Sequence, residues 1–179
     1  MSKADNKGLV QVFTGSGKGK TTAALGTVLR AAGHGFKILL IFFVKGESSQ
    51  GEFKSLLTLP GVEVSKYGLH KWIRDPDNVK PGEIAEAKKA LQAARKAASS
   101  GEYDIIVLDE INIAVYFKLI TAEDVLTLIK EKAPQTELIL TGQKADRRVI
   151  EAADLVTEMK NVKHPYELQG ISARQGIEY

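Results

Sequence analysis

The sequence predicts an α/β fold, a mostly parallel six-stranded sheet flanked by helices. Three observations predict it. Apolar runs alternate with segments of helical periodicity along the 179 residues. A glycine-rich loop, Gly15-Ser16-Gly17-Lys18-Gly19, joins one apolar run to helix-starting residues. Two carboxylates, Asp109 and Glu110, follow a run of four apolar residues, at the strand end where ligands bind in open α/β sheets.

The elements follow in order. Leu9, Val10, Val12 and Phe13 give a first strand over 9–14. A helix runs from about 21 to 32 and stops at Gly33-His34-Gly35, a glycine C-terminal signal. Residues 38–44 are apolar almost throughout, the pattern of a strand buried on both faces. A short helix over 51–57 ends at Pro60-Gly61, and alternation over 62–67 gives a third strand. Residues 68–81, with two prolines, mixed charges and the only tryptophan, read as a loop over one end of the sheet. Ile84, Ala87, Leu91, Ala94 and Ala98 recur at helical spacing, and Gly101 ends that helix. Residues 103–108 make a fourth strand. Thr121 is the expected N-cap of a helix carrying Val125, Leu128 and Ile129. Residues 137–141, 146–153 and 155–159 read as strand, helix and strand. Residues 162–179 hold few core residues and are expected to pack near the site rather than form a layer.

Length and composition fit one domain, residues 1–179, with 1–7 as a short polar tail and 160–179 as a C-terminal segment near the site. The absence of cysteine excludes a disulfide frame and a cysteine-based zinc site. The opening MSKADNKG has no apolar core of a signal peptide, and no run approaches the roughly 18 residues of a membrane span. Cytoplasmic location and no membrane partner are therefore expected. The net charge of +3 and pI near 9.0 suit a polyanionic small molecule. They do not require nucleic acid, which calls for a basic stripe.

The strongest chemical signal is the loop. Glycines at 15, 17 and 19 let backbone N–H groups approach phosphate oxygens with no Cβ in the way. The following helix adds unpaired N–H donors and a positive dipole end. Lys20 supplies a point charge for the terminal phosphates, and the Thr21 hydroxyl is the expected Mg²⁺ ligand. Thr14 stands where the common pattern has glycine, and a second lysine, Lys18, lies inside the loop. The second signal is Asp109-Glu110. A carboxylate there can hold Mg²⁺ or its waters against phosphates; Asp109 suits contact through water, and Glu110 either direct binding or a base. Lys45, the Thr141-Gly142-Gln143 strand end, and Arg147-Arg148 are weaker candidates, each matched by an ordinary surface or turn role. His34, His70 and His164 read as turn or loop residues, and no metal-cage spacing is visible. The loop alone leaves open which bond of the nucleotide breaks. A small-molecule kinase and a nucleotide-gated binding module stand as alternatives.

The whole chain resembles the P-loop ATP:corrinoid adenosyltransferases, the CobA/CobO/BtuR type of cobalamin metabolism. The likeness runs through TGSGKGKTTAALG, RAAGHGFKILLIFFVKG, VLDEIN, LTGQ and EAADLVTEMKNVKHPYELQGISARQGIEY. It implies a RecA-like P-loop NTPase sheet of order 3-2-4-5-1-6, usually in a homodimer. It also implies the reaction: Co(I) of a reduced corrinoid attacks C5′ of ATP, the adenosyl group moves to cobalt, and triphosphate leaves. An electron-donating reductase is implied as partner. By matching position, Gly15, Ser16, Gly17, Lys18, Gly19, Lys20, Thr21 and Thr22 would bind the triphosphate, and Thr21, Asp109 and Glu110 would hold Mg²⁺. Lys20, Thr21 and Glu110 would carry the catalysis. The family's corrinoid-lining segment corresponds here to a differently spaced stretch, of which Tyr67, His70 and Trp72 are the candidates.

Overall fold

The computed structural model describes residues 7–44, 51–68 and 78–179. The strands are β1 (Val10–Thr14), β2 (Ile38–Phe42), β3 (Val62–Lys66), β4 (Ile105–Asp109), β5 (Glu137–Thr141) and β6 (Leu155–Glu158). They form one sheet of order β3-β2-β4-β5-β1-β6 with every pairing parallel. This is the strand order that the family resemblance implies. Val12 lies between Leu140 and Val156, and Leu40 between Val64 and Val107.

Parallel strands need crossover connections, and these put helices on both faces. The helices are α1 (Lys20–Ala32), α2 (Gly51–Leu56), α3 (Pro81–Ser100), α4 (Ile111–Tyr116), α5 (Ala122–Glu131), α6 (Arg147–Ala152) and α7 (Pro165–Gln169). The strand period of two divides the apolar side chains between two cores. Leu39, Ile41, Ile106, Leu108, Leu138 and Leu140 join the core under α3, α4 and α5. Ile38, Leu40, Phe42, Ile105, Val107 and Ile139 join the core under α1 and α2. Double coverage explains why β2 and β4 are buried at every position. By contrast β6, the edge strand beyond β1, is exposed along its length.

The structure departs from the sequence reading at element ends and at two short helices. Phe43 and Val44 lie beyond β2, Asp109 belongs to β4, and α3 begins at Pro81. Proline at the first helical turn is tolerated because its missing N–H would be unpaired there anyway. The helix α4 has no cap in the sequence: Glu110, in the left-handed region at φ 61°, turns the chain directly from strand to helix. In α7, Pro165 starts the helix, and His164 Nδ1 accepts from the Tyr166 N–H at 3.3 Å. The loop residues 69–77 lie outside the described residues.

Thr121 caps α5 as its sequence predicts, accepting from the Asp124 N–H at 3.1 Å, while Asp124 Oδ2 accepts from the Thr121 N–H at 2.9 Å and its hydroxyl at 2.7 Å. These bonds hold the Asp124 carboxyl below its ordinary range, the Thr121 hydroxyl contributing most. A depressed carboxyl stabilises fully above its unfolded pKa and loses that contribution as pH falls through its folded value. Thr121→Ala is therefore expected to cost about 1 kcal/mol at neutral pH. Urea unfolding of both proteins checks this, and the difference should shrink below about pH 4.

Candidate functional site

The carboxyl ends of β1, β4 and β5 meet at one place. The chain leaves β1 at Gly15 (φ 96°) and enters α1 at Gly19 (φ 116°), both in the region that favours glycine. Close packing decides Gly15 and Gly17. A Cβ on Gly15 would stand 2.4 Å from the Met159 carbonyl oxygen, and one on Gly17 2.8 Å from the Lys160 carbonyl carbon. The Gly17 N–H donates to the Met159 oxygen at 2.7 Å. The backbone leaving β6 thus lies against the loop and occupies the space that side chains would need.

Lys20 is buried at the start of α1, and its Nζ donates to the Gly17 carbonyl at 2.7 Å, arching back over the loop. Thr21 follows on the first turn and donates its hydroxyl to Asp109 Oδ1 at 2.8 Å. The same oxygen accepts from the Thr141 hydroxyl at 2.7 Å. Thr141 in turn accepts from the Glu110 N–H at 3.0 Å. One buried carboxylate therefore ties α1, β4 and β5 together, and its neighbour's backbone is held by the same threonine. Glu110 is half-buried, and its Oε2 lies 3.1 Å from where a Cβ on Gly142 would stand. Gly142, at φ 127°, gives that carboxylate its room.

A cavity of about 620 Å³ opens beside these groups. Lys18, Thr21, Thr22 and Glu110 line it, as do Glu52 of α2 and Glu178 of the C-terminal turn. Ser16 is exposed and is not among the residues lining this cavity. Lys18 Nζ donates to the Ile177 carbonyl at 2.9 Å and to Glu178 Oε1 at 3.0 Å.

The other candidates separate. Tyr67 packs against the core at the exit of β3, its N–H donating to the Phe42 carbonyl at 2.8 Å. Lys45, His70 and Trp72 lie outside the described residues. Arg147 pairs with Glu151 at 2.8 Å and Arg148 with Asp146 at 3.2 Å, both on the surface. Asp146 also caps α6 by accepting from the Arg148 N–H at 2.9 Å, which offsets the unfavourable arginines at that helix start. His34 is exposed in the turn after α1. Thr141 is one of the weaker sequence candidates, and its hydroxyl is the second support of Asp109. Glu178 lies in the closing stretch that carries the resemblance and is expected near the site, but its contact with Lys18, 160 positions away, has no local signal.

Residues 6–179 match the model of the family described as ATP:corrinoid adenosyltransferase BtuR/CobO/CobP. The chain belongs to the corrinoid adenosyltransferase family. It is 37% identical over 179 residues to a corrinoid adenosyltransferase of Sinorhizobium sp, covering 99% of this chain and 83% of the relative. It is 36% identical over 176 residues to the corrinoid adenosyltransferase of Escherichia coli K12, covering 98% and 87%. It is 33% identical over 176 residues to corrinoid adenosyltransferase CobA of Salmonella typhimurium, with the same coverage. The family match spans the loop, the Asp109-Glu110 strand end and the C-terminal turn alike. Membership in an adenosyltransferase family does not favour the kinase, and the two arginines that would serve a kinase as phosphate clamps are engaged at the surface.

Gly17→Ala tests the packing of the loop. Overpacking against the Met159–Lys160 backbone should destabilise the fold by about 1–3 kcal/mol. Denaturant unfolding measures the loss, and a change below a few tenths would show that the neighbouring backbone yields freely.

Proposed function

We propose that this protein is an ATP:corrinoid adenosyltransferase that moves the 5′-deoxyadenosyl group of ATP to Co(I) of a reduced corrinoid and releases triphosphate. The observation that carries the reading is the family match over residues 6–179. The site supports it with a phosphate loop whose Thr21 hydroxyl bonds a strand-end carboxylate. The electron pair of Co(I) forms the bond to C5′. The C5′–O bond breaks, its electrons leave with the triphosphate, and cobalt is formally oxidised to Co(III).

In this reading residues 15–22 cradle a leaving group. The N–H groups of the loop and of the first turn of α1 face phosphate oxygens, and Lys20 swings from the Gly17 carbonyl to the polyphosphate. Co(I) is a strong nucleophile, so no side chain has to remove a proton from it. The work of the chain's residues is to orient ATP and to stabilise charge growing on the departing oxygens.

Thr21, Asp109 and Glu110 would hold Mg²⁺. They fit it: a hydroxyl and two carboxylates are hard oxygen donors. Among the described residues no group of three or more His, Cys, Asp or Glu could form a metal cage. Mg²⁺ takes one or two carboxylates and completes its shell with water and substrate phosphates. When bound, it supplies positive charge against the developing polyanion. Tyr67, with His70 and Trp72 beyond it in the chain, is proposed to line the corrinoid.

Incubation with ATP, Mg²⁺ and chemically reduced corrinoid should yield a light-sensitive adenosylcorrinoid and intact triphosphate. ADP and phosphate without a cobalt–carbon bond would refute the reading. Lys20→Ala should lower the rate about 100-fold or more, as loss of a transition-state charge contact does.

A homodimer and an electron-donating reductase complete the proposal, with the cytoplasm as its place. Among the described helices none is long and apolar enough to cross a membrane. Leu155 and Val156 on the edge strand are exposed, as are Val162, Tyr166 and Leu168 after it. Exposed apolar side chains on and after an open sheet edge fit a second copy better than solvent. Sedimentation velocity should show twice the mass of the 19.5 kDa chain, and Tyr166→Lys with Leu168→Lys should shift it toward monomer.

A further inference from the structure

The last turn of the chain brings an acid to the phosphate loop. Glu178 stands 160 positions after Lys18 in sequence, yet its Oε1 is 3.0 Å from the lysine Nζ. Arg174 holds the same carboxylate from the other side. Its Nη2 donates to Oε1 at 3.1 Å, and its Nε and backbone N–H donate to Oε2 at 3.2 and 2.8 Å. Gly176, at φ 76°, makes this turn, and its N–H donates to the Tyr179 carbonyl at 2.7 Å. Residues 176–179 thereby become one wall of the cavity that Lys18, Thr21 and Glu110 also line.

Four donors on one carboxylate are the environment of a bound anion. They hold the Glu178 carboxyl down at about 2, the Arg174 side chain contributing most and Lys18 next. Glu178 therefore keeps its charge across the working pH range. A fixed negative charge at the mouth of a site for a polyanion is unfavourable unless it has a task. The two cations that hold it differ in position. Arg174 sits on the C-terminal turn with Glu178, whereas Lys18 belongs to the loop itself.

We propose that Glu178 is an internal competitor for Lys18, holding the lysine while the loop carries no polyphosphate and surrendering it when one binds. Arg174 keeps the carboxylate in place during the exchange, so the turn has somewhere to return to. The inference deepens the proposed function and rests on its placement of triphosphate at residues 15–22. Its consequence is for product release. Inorganic triphosphate, freed from the sugar, keeps all its contacts to the loop, and a carboxylate that reclaims Lys18 weakens that hold. Ile177 gains the lysine at its carbonyl in the same movement, so the wall of the cavity closes as the product departs.

The test is calorimetric titration of the full chain with inorganic triphosphate in Mg²⁺ buffer, alongside product inhibition of the transfer reaction. Glu178→Gln keeps the shape and removes the charge. It should bind triphosphate about two- to fivefold tighter, the scale of one exposed ion pair, and be inhibited by it at correspondingly lower concentration. In a Lys18→Met background the same substitution should lose at least half of that effect. A chain truncated after Gln175 is the second variant and should also bind triphosphate more tightly. Unchanged or weaker binding by Glu178→Gln would overturn the inference, as would a full effect without Lys18, which would mean general repulsion only. If the unaltered chain binds no triphosphate, the functional reading fails and this one fails with it.

Discussion

Asp109 is 1% exposed at the end of a strand whose other residues are all apolar. A carboxylate taken out of water costs several kcal/mol unless donors replace the lost hydration. Two hydroxyls do so here, from Thr21 and Thr141, and both reach Oδ1. The constraint then spreads outward. Thr21 can reach Asp109 only if α1 starts where the glycine loop ends. Thr141 can reach it only in the register that places Leu140 beside Leu108. The same Thr141 oxygen takes the N–H of Glu110, which fixes the left-handed turn into α4 and with it the direction of the Glu110 side chain. Sheet register, helix start and carboxylate position are thus one solution to the burial of one charge.

The loop depends on a second constraint, from the far side of β1. Its glycines are usually justified by the ligand, and here two of them are justified by the protein. Gly15 and Gly17 leave room for the backbone at Met159 and Lys160, where β6 ends. An exposed edge strand with no buried residue looks dispensable when judged by its core. Its exit nevertheless shapes the phosphate loop, and the chain beyond it returns to meet Lys18. The C-terminal segment therefore acts on the site through backbone contact and charge rather than through hydrophobic packing.

What could be read from the sequence follows from the range of the forces involved. Glu137–Thr141 was legible to the residue because a buried strand flanked by turn residues has a local signature. The Thr121 cap was legible for the same reason, since Thr121 and Asp124 are three positions apart. Ile111–Tyr116 was not, because a strand that turns straight into a helix through a left-handed glutamate has no cap residue to announce it. At the site, the loop and Asp109-Glu110 were visible as motifs. The Thr141 hydroxyl was ambiguous, because a strand-end threonine is common and only the sheet order puts this one beside Asp109. The segment that holds Glu178 was legible through the family resemblance, but its pairing with Lys18 was not, since the two lie 160 positions apart and nothing local joins them. The carry-over of the corrinoid contacts to His70 and Trp72 falls outside the described residues and stays with the family resemblance.

The distribution of charge bears on why such a site would serve departure from carbon rather than transfer of a phosphoryl group. Phosphoryl transfer gathers charge on the transferred group and commonly adds an arginine there. Arg147 and Arg148 are engaged elsewhere, with Glu151 and Asp146. Among the described residues, the cations that face the cavity, Lys18 and Lys20, both belong to the loop, where a whole polyphosphate would lie. In the proposed function, that placement would stabilise the charge of a leaving group as a unit and make no distinction among its phosphorus atoms. On the same proposal, a loop so arranged would hold the product more firmly than the substrate, because release from the sugar adds negative charge without removing a contact. An acid that competes for one of these two lysines, as proposed for Glu178, would lower that imbalance while leaving Lys20, the deeper and more buried cation, to the chemistry.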